Sequence, residues 1–307
     1  MTQNPSTEHF ADRILAAARA KESAICVGLD PVLERLPQQV RGSADGSNAA
    51  AAARAIFDFS RDVIDAVADH AVCVKIQAAC FERYLWPGVE AYYRVIAYAR
   101  KRDLLVIGDA KRGDIGTSSA HYAAGNLADT HYRDLGDLPG PDALTVNSYL
   151  GGDGLQPFLD TAKAQGKGLF ALVRTSNPGG DALQRLQLAD GRTVAAAVAQ
   201  IIAELGDQYV GMSGYSLLGA VVGATKPEDA AQLRSLMPRQ IFLVPGFGAQ
   251  GGGADDVRAC FNADGQGAII TASRSILYAW EKSGGDWLKA VEAAAIDMKQ
   301  QIAAIVG

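Results

Sequence analysis

Eight short apolar runs, each separated from the next by a longer segment, leave this chain very few architectures. They are Ile25–Leu29, Ala71–Ile76, Leu104–Ile107, Ala143–Asn147, Leu169–Val173, Gly219–Gly223, Ile241–Val244 and Ala268–Thr271. Runs of this length, bounded by turn residues, read as strands buried on both faces. Helix-compatible segments fill most of the gaps: Thr7–Lys21 with Thr7 as a candidate cap, the alanine-rich stretch from Ala49 to about His70, Gly88–Lys101, Ala182–Leu205 and Pro227–Leu236. Alternating strands and helices, with eight strands, predict an α/β chain closed into a single (β/α)8 barrel over residues 1–307. A doubly wound open sheet is the competing architecture. It would be expected to carry G-x-G-x-x-G after the first strand, where this chain has Asp30-Pro31. The polar segments Asn126–Pro141 and Gly179–Gly191 read as excursions over the barrel mouth or surface.

Composition narrows the partners. Hydrophobic residues make up 49% and charged residues 21%, enough apolar material for a large core. A net charge of −5 gives no general attraction to nucleic acid or to an anionic membrane, so an anionic substrate needs a local site. No apolar run reaches membrane-spanning length. Cys26, Cys73, Cys80 and Cys260 show no C-x-x-C spacing, and His9, His70, His121 and His131 form no ligand cluster. A reduced, cytoplasmic protein without a metal site is expected. The start, MTQNPSTEHF, has neither the basic residues nor the apolar core of a signal peptide.

In a barrel of this kind the active face lies at the carboxyl ends of the strands. Polar residues at the predicted ends are Asp30, Lys75, Asp109, Lys111, Asn147, Ser176-Asn177, Gln250 and Arg274. The densest group is DAKRGDIG, where Asp109, Lys111 and Asp114 follow the third run. Continued strand geometry would put Asp109 and Lys111 on one face, since the side-chain period is two. Alternating carboxylates and lysine would keep the lysine charged and aimed for proton donation. After the seventh run comes PGFGAQGGG (Pro245–Gly253). After the eighth comes Ala272-Ser273-Arg274-Ser275, leading into an apolar helix over Ile276–Trp280. Glycine-rich backbone, an arginine fork and loops after strands seven and eight suit a phosphate.

The motifs CVGLDP, VKIQAACFE, DAKRGDIG, LVRTSNPG, VVGAT, PGFGAQGG and SRSILYA run in order along nearly the whole chain. Together they resemble the orotidine 5′-phosphate decarboxylases, in the longer bacterial (type 2) subfamily. The resemblance implies a cofactor-free carboxy-lyase of pyrimidine biosynthesis that converts orotidine 5′-monophosphate to UMP and CO2 in a homodimer with shared sites. It implies that Lys111 protonates C6 of the pyrimidine, and that Asp109 sits beside the substrate carboxylate. Lys75 would pair with Asp109 and contact the ribose. Asp114 would reach the neighbouring subunit's site, with Ile115 and Ser118, from the tract Thr117-Ser118-Ser119, as further substrate contacts. Asp30 would bind ribose hydroxyls, Ser176 would face the pyrimidine, and Gln250 and Arg274 would hold the phosphate. Related sugar-phosphate enzymes, hexulose-phosphate synthase and ketogulonate-phosphate decarboxylase, share D-x-K-x-x-D but need magnesium, bound partly by a glutamate near the end of strand two. This chain has Lys75 in that region. A catalytically silent phosphate-binding barrel should lack one of the paired charges, and none is missing.

Overall fold

A computed structural model describes residues 8–224, 227–248 and 253–306. The strands follow in chain order as β1 (Ile25–Leu29), β2 (Cys73–Gln77), β3 (Leu105–Arg112), β4 (Thr130–Tyr132), β5 (Gly136–Leu138), β6 (Ala143–Val146), β7 (Gly168–Arg174), β8 (Ser216–Val222), β9 (Gln240–Pro245) and β10 (Ala268–Ala272). Eight of them close a barrel in the order β1-β10-β9-β8-β7-β6-β3-β2, with β2 hydrogen-bonded back to β1 and every pair parallel. Each predicted apolar run lies on one of these strands, and the surrounding helices complete the expected (β/α)8 barrel. The excursion at Asn126–Pro141 carries the separate antiparallel hairpin β4–β5.

Local chemistry explains the elements. The helix Ala49–Val67 begins at Asn48, whose side chain accepts from the Ala51 N–H at 3.0 Å. Its apolar side includes Phe59, stacked on Trp287 and Tyr278 with ring centroids 5.3 and 6.2 Å away. That contact ties the helix to the carboxyl-terminal helix Trp287–Val306 and to the loop after β10. The first helix, Phe10–Ala20, lies below the barrel and drives Phe10 against its floor. The ring packs edge-on to Phe170 at 5.9 Å, and a β-carbon at Gly168 would fall 2.1 Å from it. A glycine at the start of β7 therefore leaves room for the plug.

The stretch Ala182–Leu205 is not one helix. It holds a short helix, Asp181–Gln184, a turn pinned by the Gln187–Thr193 bridge, and a second helix, Val194–Gly206, capped by Thr193. Asp190-Gly191, with Gly191 at φ +85°, makes the turn that alanine-rich propensity downstream could not override. Thr7 lies outside the described residues.

Candidate active site

The carboxyl ends of the barrel strands surround a cavity of about 580 Å³, of a size that suits a small metabolite. Its floor is an ionic cluster. Lys75 on β2 donates to Oδ2 of Asp109 at 2.6 Å, and Lys111 on β3 donates to Oδ1 at 2.6 Å. Gln77 adds a bond to Oδ2 at 3.1 Å, and the Thr145 hydroxyl adds one to Oδ1 at 2.9 Å. Asp109 thus receives four donors, two on each oxygen, which fills a buried carboxylate's capacity. Asp30, at the exit of β1, lies 3.6 Å from the Lys75 ammonium. Its buried Oδ1 accepts no hydrogen bond among the described residues.

Burial works against the charges of Lys75 and Asp109, and their neighbours outweigh it. For Lys75, burial would lower the pKa, but Asp30 and Asp109 raise it above the ordinary lysine value. For Asp109, burial would raise the pKa, but Lys75 and Lys111 hold it well below the usual carboxylate range. Both groups are ionised throughout the physiological range.

Strand period alone does not bring Lys111 to Asp109. Lys111 has φ +48°, left-handed backbone that a non-glycine residue rarely adopts. The register between β3 and β6 slips from Gly108–Leu144 to Arg112–Val146, so Asp109, Ala110 and Lys111 bulge opposite the single residue Thr145. The expectation of one continuous face by alternation is corrected here: a bulge, not the regular pleat, aims the lysine. Arg112 then crosses to Glu82 and Asn126, clamping the end of β3 to its surroundings.

The opposite wall comes from the later strands. The loop carrying Ser176 follows β7 and lies against Gly223, where a β-carbon would approach Ser176 to 3.0 Å. Underneath, the fully buried Arg174 pairs with Asp181 at 2.5 Å and Asp229 at 2.8 Å, and donates to Gln184, whose Oε1 also accepts the Thr175 N–H. Burial opposes the Arg174 charge; Asp229 and Asp181 more than restore it. Tyr278 does similar work for Asp30. Its hydroxyl accepts from the Val32 N–H at 2.8 Å and donates to the Asp30 carbonyl at 3.2 Å. Burial pushes this phenol up to about 12. Ser273 and Arg274 close the rim after β10, beside Pro245 at the end of β9 and Gly246 and Phe247 just past it. The Ser273 hydroxyl occupies the space a β-carbon on Gly28 would need, 1.9 Å away, so only glycine fits there.

Of the residues expected at the active face, Asp30, Lys75, Asp109, Lys111, Ser176, Asn177 and Arg274 line this one cavity. Asn147 does not; its side chain turns back to accept the Tyr149 N–H, a local turn bond. Asp114, Ile115 and Ser118 are not among the lining residues, and Ile115 and Ser118 are exposed. Ser119 is buried and donates to the Gly154 carbonyl at 2.8 Å, which sets it apart from its exposed neighbours Thr117 and Ser118. Gln250 lies outside the described residues. Sequence reading missed Thr145, Gln77, Arg174 and Tyr278 as functional residues. Gln77 was detectable in principle, being a polar side chain directly after an apolar run.

Among the described residues, no group of three or more His, Cys, Asp or Glu side chains could hold a metal ion. Residues 23–284 match the model of the orotidine 5′-phosphate decarboxylase / HUMPS family. The chain is 44% identical over 300 residues to orotidine 5′-phosphate decarboxylase of Rhodopirellula baltica, covering 95% of this chain and 98% of the relative. It is 39% identical to the enzyme of the same name from Clostridium novyi, over 85% of this chain and 86% of that one. Among solved structures, Leishmania donovani OMP decarboxylase superposes with a TM-score of 0.74 at 31% identity, covering 97% of this chain and 98% of that one. This chain belongs to the orotidine 5′-phosphate decarboxylase / HUMPS family.

Proposed function

We propose that this chain, as one catalytic domain, decarboxylates orotidine 5′-monophosphate to UMP by electrostatics and proton transfer alone. The observation that carries the reading is the placement of Asp109 between two ammonium groups on a cavity floor. The substrate carboxylate is set beside the ionised Asp109, so like charges oppose each other in the ground state. The bond from C6 to the carboxyl carbon breaks, CO2 leaves neutral, and the electron pair stays on C6. Lys111 Nζ faces that developing charge and transfers its proton to C6; the neutral amine then regains a proton from water. No carbonyl adjacent to C6 can delocalise the pair, so the fixed charges must supply much of the ~8–23 kcal/mol that enzymes generally achieve. The apolar lining residues Leu172, Val221 and Leu243 lower the local dielectric and strengthen the effect.

The rest of the substrate follows from the walls. The Asp30 carboxylate, on the cavity wall, takes a ribose hydroxyl, Ser176 faces the pyrimidine, and Arg274 with the loop after β9 and Gln250 takes the phosphate. Phosphate contacts remote from C6 supply binding energy that can be used to order the site. A homodimer completes it, with Asp114, Ile115 and Ser118 reaching the neighbouring cavity. Supporting this, exposed Trp86, Ile115 and Tyr149 follow β2, β3 and β6, which are adjacent in the barrel. Among the described residues no helix is long and apolar enough to cross a membrane, and the four cysteines are unpaired; we place the enzyme in the cytoplasm.

A magnesium-dependent sugar-phosphate enzyme would need an acidic ligand where Lys75 fills the space between Asp30 and Asp109. The test follows the ultraviolet absorbance of orotidylate with and without EDTA. Equal turnover in both is expected. Inert orotidylate, or activity lost to chelator and restored by magnesium, would overturn the reading.

A further inference from the structure

The bulge in β3 leaves a backbone group to be accounted for. Pushed out of register with β6, the part-buried Lys111 N–H has lost its place in the ladder, and leaving it unpaired is costly. It donates instead to the hydroxyl oxygen of Thr145 at 3.0 Å. A hydroxyl has one proton to give. With its oxygen accepting from Lys111, Thr145 can donate either to Asp109 Oδ1 at 2.9 Å or to the Gly108 carbonyl at 3.5 Å, and the shorter bond prevails. One side chain, 1% exposed, therefore grips the lysine's backbone and the carboxylate that pairs with the lysine's ammonium.

Packing does not require this hydroxyl. The neighbouring cavity wall holds Leu172, Val221 and Leu243, and valine has the same shape as threonine. In such a wall a hydroxyl costs desolvation unless it is fully bonded, and here both of its capacities are used within one three-residue bulge.

We propose that Thr145 is a positioning residue for proton delivery, its hydroxyl holding the left-handed backbone of Lys111 so that the ammonium stays between Asp109 and the reacting carbon. This rests on Lys111 being the proton donor to C6. In a Thr145→Val variant the Lys111 N–H and one Asp109 bond lose their partner, and the bulge can relax toward regular strand. The ammonium would then move by a fraction of its reach, while ribose and phosphate contacts are untouched.

The experiment compares wild type, Thr145→Val and Thr145→Ser in three measurements: kcat and KM for orotidylate, the inhibition constant of UMP, and exchange of the UMP C6 proton for deuterium in D2O. The exchange reads lysine-to-carbon geometry without the loss of CO2. Expected for Thr145→Val is a fall in kcat/KM and in exchange rate of about 10- to 100-fold, the scale of a sub-ångström to 1 Å misplacement. The UMP inhibition constant should stay within about 3-fold, and Thr145→Ser should recover most of both rates, since it restores the hydroxyl. Should the valine variant not fold, Thr145→Cys makes the same comparison with a weak thiol in place of the hydroxyl. Wild-type rates in the valine or cysteine variant would overturn the proposal. So would UMP binding lost in parallel with turnover, or a serine variant as impaired as valine. A wild-type chain inert toward orotidylate would overturn the functional reading first and this proposal with it.

Discussion

Asp109 and Lys75, on neighbouring strands and both buried, are joined by a 2.6 Å hydrogen bond that locks each in its charged form. The pair presents Lys111 with a carboxylate that cannot readily take up its proton. A lysine so placed has one useful place to send it, the substrate.

Lys111→Ala removes both the proton donor and the cation nearest the reacting carbon. Turnover should fall by at least the ~10²–10⁴-fold typical of one general acid. UMP should still bind within about an order of magnitude of wild type, because ribose and phosphate contacts lie elsewhere. Isothermal titration with UMP beside steady-state kinetics separates the two. A variant that loses UMP binding as completely as turnover would show that Lys111 serves binding.

Composite sites make a prediction for mixed subunits. Lys111→Ala and Asp114→Asn should each be inactive, yet mixing them with subunit exchange should restore about a quarter of wild-type activity. About half the dimers would be mixed, each with one site carrying both lesions and one carrying neither. No recovery, with exchange demonstrated by mass tagging, would mean that Asp114 acts within its own chain.

The buried pair also fixes a pH dependence of stability. Asp109 is held below its unfolded value, near ~3.9, so its contribution is present above that pH and is lost as pH falls further. Lys75 is raised above its unfolded value, near ~10.4, so its contribution is full below that pH and is lost as pH rises through the folded value. Urea midpoints of wild type and a Lys75→Met/Asp109→Asn variant should differ by a constant amount between about pH 5 and 9, and the gap should narrow below about pH 4. A gap that changed steeply near neutrality would contradict the assignment of charges.

Tyr278→Phe keeps the ring against Phe59 but leaves the Val32 N–H and the Asp30 carbonyl without their partner. The loss should destabilise the chain by about 0.5–1.5 kcal/mol, the usual net worth of a hydrogen bond. It should also raise KM for orotidylate several-fold through a looser Asp30, with kcat affected less. Arg174→Met removes the cation that Asp181 and Asp229 share beneath the Ser176 loop, and with both carboxylates partly exposed it should cost about 1.5–3 kcal/mol, the range for hydrogen bonds to charged groups. Denaturant melts and substrate titration of both variants test the order.

Much of this protein was written locally in its sequence. Apolar runs with period and length set by burial placed all eight barrel strands, and polar residues inside or just after several of them, Asp30, Lys75, Asp109, Lys111 and Ser176, meet at one mouth because parallel strands all end on the same side. Tertiary structure alone decided the supports. Thr145 reaches Asp109 across 36 positions, Arg174 reaches Asp229 across 55, and Tyr278 reaches the Asp30 carbonyl across 248. Each looks ordinary in sequence, a threonine in a strand or a tyrosine in a helix segment, since its partner appears only once the barrel closes. The same holds for the left-handed backbone of Lys111, which no residue around it requires. Local propensity governs which segments become strands; a strained bulge persists only where contacts from distant strands outweigh its cost, and those contacts belong to the fold.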